Sequence, residues 1–167
     1  MKPIPLFVLL TLLAMLPFRL NGAPLPLPKV TDWSVEAASA HNKATPLMVI
    51  FSSENCSYCQ ALNREILAPL LKKGTLQRRV HLREFSIDRG GKVIDFDGTP
   101  IRAHLFVDRY HVFATPTLIL LDQSGKILGE PIVGYNGADS YPHLLDQAVQ
   151  HANGLTALVA RHRDSTR

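Results

Sequence analysis

Leu47-Met48-Val49-Ile50-Phe51-Ser52-Ser53-Glu54-Asn55-Cys56-Ser57-Tyr58-Cys59 is the stretch on which the fold turns. Its first five residues are a continuous apolar run of strand length, which predicts a strand covered on both faces in the middle of an α/β sheet. Ser52 to Asn55 makes a turn. A helix then starts near Cys56, with Leu62, Ile66, Leu67, Leu70 and Leu71 along one face. Backbone N–H groups at a helix start have no intrahelical partner, so they stabilise a thiolate at Cys56. Cys59, three residues on, comes round to the same side of the first turn. Pro69 is expected to kink or divide the helix.

Upstream, Thr31 or Asp32 caps a predicted helix running to about His41, with Trp33, Ala37 and Ala40 at helical spacing. Downstream, Val80 to Ile87 alternates as a second strand. Arg89 to Pro100 is rich in Gly and Asp and reads as a loop, with a short strand or turn around Val93 to Gly98. Asp95 and Asp97 are a fragment of a calcium loop without its other ligands, so a turn is the reading. Ile101 to Tyr110 is a predicted helix and Thr117 to Leu121 a third strand. Asp122-Gln123-Ser124-Gly125 forms a hairpin turn. Lys126 to Val133 is the returning strand, made irregular or an edge by Gly129 and Pro131. The last helix runs from Ala138 to about Asn153, with Tyr141, Leu144, Leu145, Ala148 and Val149 inward and Gly154 ending it. The class is α/β: a mixed sheet of four to five strands with helices on both faces.

The chain has 167 residues, is 46% hydrophobic and 19% charged, and carries a net charge of +4. This allows one domain with a real core. The basic residues are scattered and no groove-reading motif accompanies them, which argues against nucleic-acid binding. Residues 1–23 read as a secretory signal: Lys2, an apolar run from Ile4 to Leu16, then Asn21, Gly22 and Ala23. Arg19 and Pro24 leave the cleavage bond, and an uncleaved anchor, open. Residues 24–30 alternate proline with apolar residues as an extended leader. The domain is placed at 31–154 and a basic tail at 155–167. Export makes the location periplasmic or otherwise extracytoplasmic.

Only two cysteines exist, and both lie in one motif. In an oxidising compartment, a lone close pair is kept for chemistry rather than for stapling the fold. Zinc requires further Cys or His at matched spacing, and the seven His residues are dispersed. A c-type haem requires His after the second Cys, and position 60 is Gln. No metal and no cofactor is expected. Cys56 is the expected nucleophile and Cys59 the resolving thiol.

The Cys56-Ser57-Tyr58-Cys59 motif is joined by Phe96-Asp97-Gly98 ahead of a helix, by Ala114-Thr115-Pro116-Thr117, and by Asp122-Gln123-Ser124-Gly125-Lys126 followed by Gly134-Tyr135. With these, residues 47 to about 150 resemble the thioredoxin-like superfamily. They are most similar to its exported bacterial members related to SoxW and to the catalytic domain of the disulfide isomerase. The resemblance implies a thioredoxin-like fold and a cis Thr115–Pro116 bond facing the cysteines. The Thr115 backbone would then pair with an extended substrate strand. The plainer reading is a trans proline opening an edge strand.

The sequence departs from ordinary thioredoxins. Ile50 stands where they bury an Asp six residues before the first Cys, and Glu84 falls near the position of their accompanying Lys. Glu84 is thus a candidate for proton transfer from Cys59, with water or a plain exposed carboxylate as the alternative. Tyr58 is a candidate aromatic contact to substrate, or a surface residue of no special role. The resemblance implies a thiol–disulfide oxidoreductase, expected to reduce protein or small-molecule disulfides and to be recharged by a membrane redox partner, as a monomer. The alternatives are a thiol oxidase or isomerase of folding proteins, or a copper carrier using the Cys pair.

Overall fold

The computed structural model describes residues 26–165, with side chains through residue 161. The predicted signal at 1–23 lies outside the described residues. Helix α1 (Trp33–Asn42) leads into strand β1 (Leu47–Ser52). Helix α2 (Ser57–Leu62), a π-helical stretch (Asn63–Leu67) and helix α3 (Ala68–Lys72) follow, then strand β2 (His81–Ser86). Strands β3 (Lys92–Ile94) and β4 (Pro100–Arg102) precede helix α4 (Ala103–Arg109). Strands β5 (Thr117–Leu121) and β6 (Ile132–Val133) and helix α5 (Tyr141–Ser165) complete the chain.

The main sheet has four strands in the order β2-β1-β5-β6, and β3 and β4 form a separate hairpin. β1 runs parallel to β2, with Ile50 opposite Glu84, and antiparallel to β5, with Phe51 opposite Thr117. All six residues of β1 are buried, because the strand is central and covered on both faces.

Alternation divides the core into two layers. Met48 and Ile50 of β1, Leu82 of β2, and Leu118 and Leu120 of β5 face a layer closed by Leu62 and Ile66 and by Tyr141, Leu145 and Val149 of α5. Val49, Phe51, Phe85 and Ile119 face the opposite layer with α1 and α4. That second layer is aromatic. Trp33 stacks on Phe106 with centroids 4.6 Å apart, and Phe85 packs 4.9 Å from the same ring. Asp32 caps α1, its Oδ1 accepting from the Val35 N–H at 3.1 Å.

The helix after the cysteines is divided, as Pro69 requires. The π-helical stretch occupies the turn before it, where the proline ring would otherwise meet the Glu65 carbonyl. The leader is part of the domain from Leu27 onward. Leu27 and Val30 are buried, Lys29 bridges to Glu84 beside β2, and the Glu84 N–H donates to Pro28 O at 2.9 Å.

Four expectations are corrected. Ile101 and Arg102 belong to β4, not to the following helix, because they pair with Val93 and Lys92 across the hairpin. The strand after Gly125 is not continuous. Ile127 makes one bridge to Leu121, and pairing resumes only at Ile132, since Gly129 takes a φ of +90° and Pro131 has no N–H. Leu144 is exposed rather than inward. Gly154 does not end the last helix, which continues to Ser165. Ala152 and Thr156 are buried on either side of the glycine and Leu155 packs on the core, so burial overrides the local preference.

Candidate functional site

The site forms where β1 ends. Cys56 is the cap of α2, in extended conformation, and its Sγ accepts a hydrogen bond from the Cys59 N–H at 3.0 Å. The two cysteines are joined as a disulfide, with Cα atoms 5.2 Å apart. Cys56 is 8% exposed and Cys59 only half-buried, so the second sulfur's residue is the more open of the two.

β5 delivers the facing loop. Continuing the β1–β5 register two residues past Phe51 and Thr117 puts Ser53 opposite Thr115. Their hydroxyls lie 3.1 Å apart. The Thr115–Pro116 bond is cis. Thr117 Oγ1 donates to Ala114 O at 2.8 Å and the Gly134 N–H donates to Pro116 O at 2.8 Å, so the loop is tied at both ends. Tyr58 is 62% exposed and lines an open groove with Thr115, Val133, Gly134 and Tyr135.

A second opening lies on the other side of the disulfide. A cleft of about 390 Å³ is lined by both cysteines and by Ser53, Gln60, Glu84 and Arg89, among others. Glu84 reaches it because it alternates with Val80 and Leu82 onto the face covered by α2. Its Oε1 accepts from Ser52 Oγ at 2.8 Å, and Ser52 itself is buried. Ser52 follows Met48 and Ile50 on that same face, so a hydroxyl and a carboxylate stand where neighbouring positions are apolar.

The geometry thus gathers Cys56, Cys59, Thr115, Pro116, Tyr58 and Glu84 around one strand end. Ser52 and Ser53 were not singled out by the sequence, although their position between strand and cysteine marked them as site-adjacent. Arg89 was also missed, since a loop residue after a strand carries no periodic signal. Among the described residues, no group of three His, Cys, Asp or Glu is placed to hold a metal ion. Reduced, such a pair can exchange two electrons with a disulfide that reaches Cys56.

The sequence pattern of the thioredoxin-like domain family matches residues 33–149, most of the chain. No curated protein sequence matches it. Among solved structures, the chain is similar to one described as DsbH oxidoreductase, at 15% identity and TM-score 0.55, covering 79% of this chain and 91% of that one. It is also similar to a thioredoxin-fold protein from Helicobacter pylori, at 15% identity and TM-score 0.52, covering 74% and 87%. A third is the oxidised C-terminal domain of DsbD from Neisseria meningitidis, at 14% identity and TM-score 0.51, covering 72% and 98%. At these identities the likeness is one of fold.

Proposed function

The chain belongs to the thioredoxin-like domain family and is a thiol–disulfide oxidoreductase of that kind, and on this premise we propose that it is an exported reductase of protein or small-molecule disulfides. The observation that carries the reading is the Cys56–Cys59 disulfide at the β1–α2 junction, with the Cys59 N–H aimed at Cys56 Sγ.

Once the pair is reduced, that N–H and the open helix start favour the Cys56 thiolate. The thiolate attacks one sulfur of a substrate disulfide, and the other leaves as a thiolate that takes a proton from solvent. Cys59 then gives up its proton, attacks Cys56 Sγ and releases the second substrate thiol. Glu84 is the acceptor we assign for that proton. It lines the same cleft as Cys59, and Ser52 holds its carboxylate in place.

Substrate enters on the opposite side, in the groove beside Tyr58. An extended segment pairs there with the Thr115 backbone next to Pro116, and Tyr58 supplies an aromatic surface. The order of charge, apolar run and small residues in 1–23 supports export. A membrane redox partner then recharges the dithiol, and the chain acts as a monomer.

The reduction potential of the Cys56–Cys59 pair tests this directly. A value near about −270 mV fits a reductase, whereas one near about −120 mV makes the protein an oxidant. Cys56→Ser should abolish insulin reduction. Full activity in that variant removes Cys56 from its assigned role.

A further inference from the structure

The groove beside Tyr58 does not end at the disulfide. Tyr58, Thr115 and Tyr141 are among the residues that line it, and a second groove is lined by Leu128, Pro131 and His151, among others. Ile132, Val133 and Leu144 line both, so the two form one trough. One bank is the segment of residues 128–135. The other is α5, through Tyr141, Leu144, Ala148 and His151, which recur every three or four residues along one helix face. At about 1.5 Å per residue that face is about 15 Å long. It matches about four or five residues of extended chain.

The bank formed by β6 offers backbone groups to such a chain. β6 is the last strand of the main sheet, next to β5. Val133 stands opposite Thr117 of β5, and its neighbour Gly134 donates its N–H inward to Pro116 O at 2.8 Å. Residues of an antiparallel strand alternate between bonding to the partner strand and facing away from it, so the N–H and C=O of Val133 face the open edge. A donor and an acceptor on one edge residue are matched by the backbone of a second extended chain. The surface around them is apolar. Val133 is 64% exposed, and Leu144 on the facing bank is 46% exposed. The acidic or basic side chains of the lining are Glu130 and His151, both in the second groove. The end beside Tyr58 and Thr115 therefore suits apolar side chains.

We propose that this trough binds an extended, apolar stretch of a substrate polypeptide adjoining its reactive cysteine, with Val133 pairing to the backbone and Leu144 packing against the side chains. The inference rests on the reductase reading and narrows it to protein disulfides, because a small disulfide reaches Cys56 without filling the trough. A second copy of the chain is the competing occupant. Seated there, it would cover the groove beside Tyr58 and Thr115 and shut substrate out, so the continuity of the two grooves favours the substrate itself.

The test uses the reduced full-length protein and three synthetic peptides, each carrying one cysteine linked to 2-nitro-5-thiobenzoate, whose release is read by absorbance. One peptide has five valine, leucine and threonine residues before the cysteine, one has them after it, and one has glycine and serine on both sides. One apolar peptide should exceed the glycine–serine peptide at least about tenfold in kcat/KM, through KM. Leu144→Glu and Val133→Pro should each bring that preference below about threefold, and Leu144→Met should keep it. Leu144→Glu should still reduce 2-hydroxyethyl disulfide within about twofold of wild type, which shows that the fold and the dithiol are intact. Equal kcat/KM for the three peptides, or a preference that survives both Leu144→Glu and Val133→Pro, would overturn the proposal. So would a wild-type dimer in sedimentation that Leu144→Glu converts to monomer, since a second copy then fills the trough. Failure of wild type to reduce either the peptides or 2-hydroxyethyl disulfide sinks the reductase reading instead, so the two failures are separable.

Discussion

Ser53 and Thr115 join hydroxyls across 3.1 Å, and this bond ties the turn before Cys56 to the loop of the cis proline. It is the side-chain continuation of the β1–β5 ladder past the last backbone pair. Ser53→Ala removes it while leaving both cysteines in place. A hydrogen bond of this kind contributes about 1 kcal/mol, so kcat/KM for insulin reduction should fall about fivefold. The loss should appear mainly in KM, because the substrate groove is what loosens. An unchanged KM would mean that the loop is held without this bond.

Glu84 makes a different prediction, because the role proposed for it follows substrate attack. Glu84→Gln keeps the shape and the partner for Ser52 but cannot accept a proton. Formation of the mixed disulfide should be unaffected, while its resolution by Cys59 should slow at least about tenfold. The slowed step should also become dependent on hydroxide concentration above neutral pH. Rapid-quench alkylation separates the two steps. Equal slowing of both would assign Glu84 to the fold rather than to the proton.

How much of this was legible in the sequence follows from which forces are local. The strand–turn–Cys56 junction could be read because an uninterrupted apolar run has one meaning in an α/β sheet. The face of Glu84 could be read from its alternation with Val80 and Leu82. That it would meet Ser52 could not, since the contact depends on how β1 and β2 align. Ile101 and Arg102 were assigned to a helix because their partners, Val93 and Lys92, are set by a turn rather than by periodicity. Tail burial decided Gly154, and loop geometry alone brought Arg89 to the cleft.

A partly buried cluster away from the site makes stability fall on acidification. His81 is 5% exposed, and its Nε2 donates to Glu36 Oε2 at 2.6 Å, while Arg83 reaches the same oxygen at 2.6 Å. Burial pushes the His81 imidazole below its ordinary value. The Glu36 bond opposes this, and Arg83 and Lys43 reinforce it. Burial works against ionisation of Glu36, but hydrogen bonds from Arg83 and His81 prevail and hold it below the carboxylate range. Both groups bind fewer protons folded than unfolded. Stability is therefore full above about pH 6.5 and declines on acidification, through His81 first and through Glu36 below about pH 4.5. Urea midpoints from pH 8 to 4 should show the fall beginning near 6.5. His81→Gln should flatten the upper part, and a flat wild-type profile between 6.5 and 5 would contradict this account.

Gly125 stands where the turn after β5 meets an aromatic ring. Its φ is +83°, and a Cβ there would lie 2.5 Å from the Phe96 ring. Tyr110 also donates its hydroxyl to the Gly125 carbonyl at 2.8 Å, so the turn cannot shift freely. Gly125→Ala should cost about 2 kcal/mol, from overpacking and a left-handed backbone together. Gly98, with φ +83° and open space around it, is the control, and Gly98→Ala should cost about 1 kcal/mol from the backbone alone. Equal losses in the two variants would show that the Phe96 contact is relieved by movement of the ring.

The C-terminal helix offers the last test, through the residues beyond Gly154. Leu155 packs against the core layer under α2, and Thr156 is buried with its hydroxyl on the Ala152 carbonyl at 2.9 Å. Helix and core therefore share a face that runs through the glycine. Ending the chain at Gly154 removes those contacts and frays the turn carrying Ala152, which should lower stability by about 2 kcal/mol. Ending it at Ala160 leaves the Leu155 and Thr156 contacts in place and should change stability by less than about 0.5 kcal/mol. The Cys56–Cys59 pair lies at the other end of this layer, so both truncations should keep the wild-type reduction potential. Denaturant midpoints that do not separate the two truncations would mean that the helix past Gly154 adds nothing to the fold.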